Sequence, residues 1–106
     1  AVKPALSSSN KASERTLQAY RLCYEERSVV GELGAVYLTN KEFALMDCFA
    51  KNKGTALSRE QILHHVWGDS YFGSDRVVDD LVRRTRKKLQ GLRVQTLYGY
   101  GYRVNA

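Results

Sequence analysis

Residues 75–90 carry two stripes of opposite character. Place Arg76 at 0° and advance about 100° per residue, and Val78, Val82, Thr85 and Leu89 fall between about 180° and 240°, with Leu81 on their flank. Arg76, Asp80, Arg83 and Lys87 fall between about 340° and 40°, with Arg84 and Arg86 flanking them at about 80° and 280°. Such a segment is a helix with one ridge packed on a protein core and a row of cations turned outward. Asp75 in its first turn suits the helix dipole, and Ser74 is placed to cap it. Thr85 is the one polar member of the inward ridge, and its hydroxyl is expected to bond back to the Leu81 carbonyl.

The rest of the chain has to supply that core. Its 106 residues make one domain. A chain of this length buries between ~60% and ~68% of its unfolded surface, enough to fold without metal or disulfide staples. No apolar run approaches the ~18 residues of a membrane span, and one proline with eight glycines excludes collagen-like material. The formal charge is +6, and residues 75–106 hold +5 of it. A positive field so concentrated attracts polyanions: nucleic acid, an anionic membrane surface or an acidic protein. Cys23 and Cys48 lie 25 positions apart, with no short Cys-x-x-Cys spacing, and adjacent His64 and His65 would project about 100° apart on a helix. The expectation is therefore two reduced thiols in a cytoplasmic protein, with no signal peptide, metal or cofactor. No nucleophile–base pair or carboxylate dyad stands out, so an enzyme is not expected.

Residues 1–14, with the only proline and four serines, are expected to be a flexible linker or tail, leaving residues 15–106 as the domain. Short β-type runs follow at residues 17–20, 22–24, 28–30 and 35–38, enough for a small antiparallel meander. Thr39 and Glu42 then form a capping box ahead of a helix with Phe43, Met46 and Ala50 on one side and Leu45 and Phe49 beside them; it should end near Gly54. Ser58 and Gln61 form a second box, opening a helix that carries Ile62, Leu63 and Val66 inward and ends at Trp67. Residues 68–74 make a loop between helices, and residues 93–104 hold two β-runs around Gly99 and Gly101, a hairpin.

Helix, helix, basic helix and hairpin in this order, after a small meander of three or four strands, describe an α+β winged helix-turn-helix with a C-terminal wing. The basic helix is shaped for the major groove of double-stranded DNA, where its arginines reach phosphates or guanine edges. Asp80 sits amid the cations, able to accept from a cytosine amino group or to repel phosphate. Trp67 fits either a plug at the core edge or a phosphate contact, Asp79 fits an internal ion pair or a dipole partner, and Tyr71 and Phe72 fit either a partner surface or a tuck into the domain.

Several blocks together resemble the OmpR/PhoB-type effector domains of two-component response regulators. They are Leu38-Thr39-Asn40-Lys41-Glu42-Phe43, Leu57-Ser58-Arg59-Glu60-Gln61, Val66-Trp67-Gly68, Asp75-Arg76-Val77-Val78-Asp79, Arg83-Arg84-Thr85-Arg86-Lys87-Lys88-Leu89 and Gln95-Thr96-Leu97-Tyr98-Gly99-Tyr100-Gly101-Tyr102-Arg103. The resemblance implies a cytoplasmic, bacterial transcription regulator, nucleoid-associated when bound, that binds direct-repeat DNA as a head-to-tail homodimer. It implies an upstream receiver domain missing from this chain. It also implies a four-stranded N-terminal sheet, gives Trp67, Arg76, Arg83, Arg84, Arg86, Thr96 and Tyr102 roles in DNA contact, beside Lys87 from the outward cation row, and assigns Ser70, Tyr71 and Phe72 to RNA polymerase. Tyr98 stands where the family usually has an arginine in the minor groove; a neutral phenol stacks or bonds a phosphate without the charge-driven contact. The alternatives are a winged helix from a receiver-less or membrane-tethered regulator, or one acting mainly through protein contact with polymerase.

Overall fold

The computed structural model describes residues 14–105. Strands β1 (Glu14–Leu17), β2 (Tyr20–Cys23), β3 (Ser28–Gly31) and β4 (Gly34–Tyr37) form an antiparallel sheet in the order β1-β2-β3-β4. Leu22 faces Val29 and Val29 faces Val36 across the sheet, so period-two alternation puts Leu22 and Val29 on the face that meets the helices. The run at residues 17–20 is not one strand. Gln18 takes a left-handed φ of 57°, turning the chain between β1 and β2, and Glu14 already pairs with Cys23, one residue ahead of the expected domain start. Of the expected tail, residues 1–14, residues 1–13 lie outside the described residues and Glu14 belongs to β1.

Helix α1 (Asn40–Lys51) opens on the expected capping box, the Thr39 hydroxyl accepting the Glu42 amide while the Glu42 carboxylate accepts the Thr39 amide at 2.9 Å. Phe43, Leu45, Met46 and Phe49 are all buried, so this helix is covered from several sides: by the sheet, by α2 (Arg59–Trp67) and by α3 (Arg76–Lys88). Its chain leaves through Gly54, whose φ of 77° suits a residue without Cβ. The second box also forms, Ser58 accepting the Gln61 amide at 3.1 Å and Gln61 accepting the Ser58 amide at 2.8 Å. Ile62 and Leu63 of α2 face inward.

Helix α3 is regular from Arg76, one residue later than expected and two residues shorter at its end. The expected Ser74 cap is corrected: the N-cap position is Asp75, which makes no side-chain cap bond, and Ser74 stands one residue earlier, its hydroxyl accepting the Arg76 amide at 3.1 Å in a local turn. The last three strands, β5 (Leu57–Ser58), β6 (Gln95–Leu97) and β7 (Gly101–Arg103), form a second antiparallel sheet with β7 in the middle. The short β5 thus ties the C-terminal hairpin to the start of α2. The fold is a winged helix: a four-stranded sheet, three helices and a C-terminal hairpin wing.

Candidate nucleic-acid interface

The rotation of α3 decides what this molecule can touch. Val78, Leu81, Val82, Thr85 and Leu89 are buried, and Arg76, Arg83, Arg84, Arg86 and Lys87 are exposed. The two stripes read from the sequence are the inner and outer faces of the helix. One detail is corrected: the Thr85 hydroxyl is buried without a hydrogen-bond partner and does not bond back to Leu81.

Beside α3 stands the wing, and a groove of about 480 Å³ runs between them, lined by Arg83, Arg86 and Lys87 on one side and Thr96 and Tyr102 on the other. Three groups fix the angle between the walls. Asp79 of α3 accepts from the Tyr102 hydroxyl of β7 at 2.5 Å and from Arg59 Nε of α2 at 2.8 Å. Burial pushes the Asp79 carboxyl up, but the bonds from Tyr102 and Arg59 outweigh it and hold the group below its usual range. Burial, with Asp79 alongside, pushes the Tyr102 phenol up to about 12. Asp79 is therefore an internal ion-pair partner. Tyr102 is buried with its hydroxyl committed to Asp79, whereas Tyr98 at the tip is 92% exposed. Arg59 is the partner that sequence reasoning missed. Its position inside a capping motif explained its neighbours and left its own side chain without a role; only the approach of α2 to α3 supplies one.

On the outer face, Asp80 is paired on both oxygens, to Arg83 Nη2 at 2.5 Å and to Arg84 Nε at 3.0 Å. The hydrogen bond from Arg83 holds the Asp80 carboxyl below its usual range. At the far end of α3, Lys88 reaches back to the buried Glu42 carboxylate at 2.7 Å, pinning the helix to the start of α1.

The loop from α2 to α3 separates the residues that the sequence grouped. Trp67 is half-buried, with its ring 5.9 Å from Tyr71 and under Lys41 Nζ at 5.4 Å. Tyr71 tucks against the core and donates to the Ser74 carbonyl at 3.3 Å, while Ser70 is exposed and Phe72 is 93% exposed. Elsewhere, Cys23 is half-buried and Cys48 is buried, both as free thiols, and burial pushes the Cys48 thiol up to about 11. Among the described residues, no three His, Cys, Asp or Glu side chains cluster as metal ligands, and no helix is long and apolar enough to cross a membrane.

Residues 33–104, most of both the fold and this face, match the family described as transcriptional regulatory protein, C terminal. The chain belongs to that family. Among relatives of this transcriptional regulatory domain, the transcriptional regulatory protein CssR of Bacillus subtilis (strain 168) is 50% identical over 93 residues, covering 87% of this chain and 41% of CssR. The transcriptional regulatory protein VxrB of Vibrio cholerae is 42% identical over 72 residues, covering 68% of this chain and 29% of VxrB. The chain thus spans about two fifths or less of these relatives. Among solved structures, the DNA-binding domain of Bacillus subtilis CssR superposes with a TM-score of 0.76 at 53% identity, covering 80% of this chain and 98% of that one. The Klebsiella pneumoniae RstA DNA-binding domain in complex with the RstA box gives a TM-score of 0.75 at 26% identity, covering 87% and 96%. The described fold is therefore that of response-regulator effector domains.

Proposed function

We propose that this chain is the effector domain of a response regulator and binds double-stranded DNA in a sequence-specific way to regulate transcription. Helix α3 lies in the major groove, with Arg76, Arg83, Arg84, Arg86 and Lys87 on phosphates and base edges, and the wing lies across the adjacent backbone with Thr96 and Tyr98 toward it. The observation that carries this reading is the split of α3, hydrocarbon sealed inward and cations outward beside a hairpin that completes a groove. Its role is binding and not catalysis. Two copies would sit head to tail on a direct repeat, and a receiver domain would precede residue 1 in a cytoplasmic protein. Trp67 serves first as a core-edge plug, its exposed rim available to a phosphate. The bare Phe72 beside Ser70 favours a hydrophobic contact with RNA polymerase from the same loop.

The test is selection of bound fragments from random duplex DNA, followed by salt titration of the selected sequence. Binding should enrich a repeated motif, and log affinity should fall linearly with log salt at about −0.9 per neutralised phosphate. Recovery of unselected sequence with no salt dependence would overturn the reading and leave protein docking as the function.

A further inference from the structure

Asp80 places a carboxylate in the middle of the face that the proposed function turns toward a polyanion. The ion pairs it makes are exposed, and pairs of that kind add little to stability. Its effect therefore falls on what Arg83 and Arg84 can do. Both carboxylate oxygens are occupied, one by each guanidinium, so the three side chains form a local group with a net charge of +1 in place of two independent cations. A phosphate that draws either arginine away leaves the carboxylate short of a partner and close to a second anion, which costs free energy. A base pair can avoid that cost. Guanine N7 and O6 accept an arginine fork, and the cytosine N4 amino group donates to a carboxylate, so a G·C pair satisfies both signs of charge at once.

Resting on the DNA-binding reading, we propose that Asp80 is a specificity-determining residue. It suppresses engagement of Arg83 and Arg84 by backbone phosphate alone and favours duplex sites that present a cytosine amino edge to this part of α3. Thymine, with an acceptor O4 and a methyl group at the equivalent place, is disfavoured by the same carboxylate. Discrimination is gained by penalising the wrong partner, and tight binding to generic DNA is given up in exchange.

The experiment compares the unaltered chain with Asp80→Ala and Asp80→Asn. Each is measured on the sequence selected by the unaltered chain and on a random duplex pool across a salt series, with melting temperature recorded for all three. The expected result for Asp80→Ala is random-pool binding tightened several-fold at low salt, a salt slope steeper by up to about 0.9, and a selected-to-random ratio lowered about five-fold or more. Renewed selection should lose the cytosine preference at one position. Asp80→Asn, which keeps the shape and removes the charge, should shift that position toward adenine, whose N6 and N7 pair with an amide. The proposal is overturned if both variants keep the cytosine preference, or if random-pool affinity and slope stay as they were while the melting temperature is unchanged. Absence of salt-dependent binding by the unaltered chain would instead overturn the DNA-binding reading beneath it.

Discussion

Arg83 and Thr85 stand two residues apart on α3 and face opposite demands. Arg83 is exposed and pairs only with a neighbour on its own helix, so its removal takes nothing from the core. Arg83→Ala is expected to weaken binding to the selected DNA by at least ~1 kcal/mol while leaving the thermal midpoint nearly unchanged, measured by titration and by circular dichroism melting. Loss of the fold would show that the helix is rotated otherwise. Thr85 is fully buried, with a hydroxyl that has given up water and gained no partner. A stranded hydroxyl costs ~1–3 kcal/mol by mutational measures, and valine has the same branched shape without it. Thr85→Val should therefore stabilise the domain by ~1 kcal/mol in denaturant unfolding; a loss of stability would mean that the hydroxyl has a partner after all. Only the packed structure could settle this hydroxyl. Sequence shows a threonine in an apolar ridge and a carbonyl four residues back, and the local bond it anticipates does not form.

The wing is the element whose position depends on the rest of the domain. Its centre strand β7 pairs with β6 of its own hairpin and with β5, far away in sequence, so the hairpin cannot swing without breaking a ladder. Gly101 makes this close approach possible. A Cβ there would sit 2.0 Å from the Leu57 carbonyl oxygen, a backbone atom that has no rotamer to move into. Gly101→Ala is expected to destabilise the domain by ~1–3 kcal/mol or more, and to weaken DNA binding beyond what the unfolded fraction explains, because the wing wall of the groove is displaced. Equal stability in urea unfolding would argue that the β5–β7 ladder is dispensable. The hairpin itself was legible from two β-runs around glycines, and residues 55–57 from their short extended character, but the pairing of Leu57 and Ser58 with β7 was not. A two-residue strand carries no periodic signal, and residues 57 and 58 announce the next helix instead.

At the scale of the whole domain, three carboxylates join elements distant in sequence. Glu42 ties α1 to the end of α3 through Lys88, and Asp79 ties α3 to α2 and the wing. Asp47 ties α1 to Tyr24, in the turn between β2 and β3, and to His65 of α2 at 3.1 Å. In each, burial pushes the carboxyl up and is outweighed by the donors around it, chiefly Lys88 and the Thr39 amide for Glu42, Tyr102 and Arg59 for Asp79, and Tyr24, Lys51 and His65 for Asp47. All three end below their usual values of 4.5 for glutamate and 3.8 for aspartate. A carboxyl held low in the folded state binds its proton less readily than in the unfolded chain. Its contribution is then fully present above the unfolded value and is lost as pH falls through the lowered one. Stability should be flat from neutral pH down to about 5 and then fall steeply below about 4, followed by urea midpoints across a pH series. Replacing Asp79 with asparagine should blunt the acid limb; an unaltered limb would remove Asp79 from the set.

What the chain determines by itself is written in short-range terms: two capping boxes that start α1 and α2, a 3.6-residue period that fixes which side of α3 is buried, and glycines that mark the hairpin. Each of these depends on residues within about four positions of one another, and local geometry is enough to read them. The fold and the cationic face followed from them. Tertiary structure alone decided that Arg59 meets Asp79, that Tyr102 spends its hydroxyl on the same carboxylate, that Lys88 finds Glu42, and that Tyr71 turns inward while Phe72 stays bare. These are meetings between side chains 20 or more positions apart, or a choice between two neighbouring aromatic residues. They are set by how the helices pack, and packing is a property of the whole chain that no window of sequence contains.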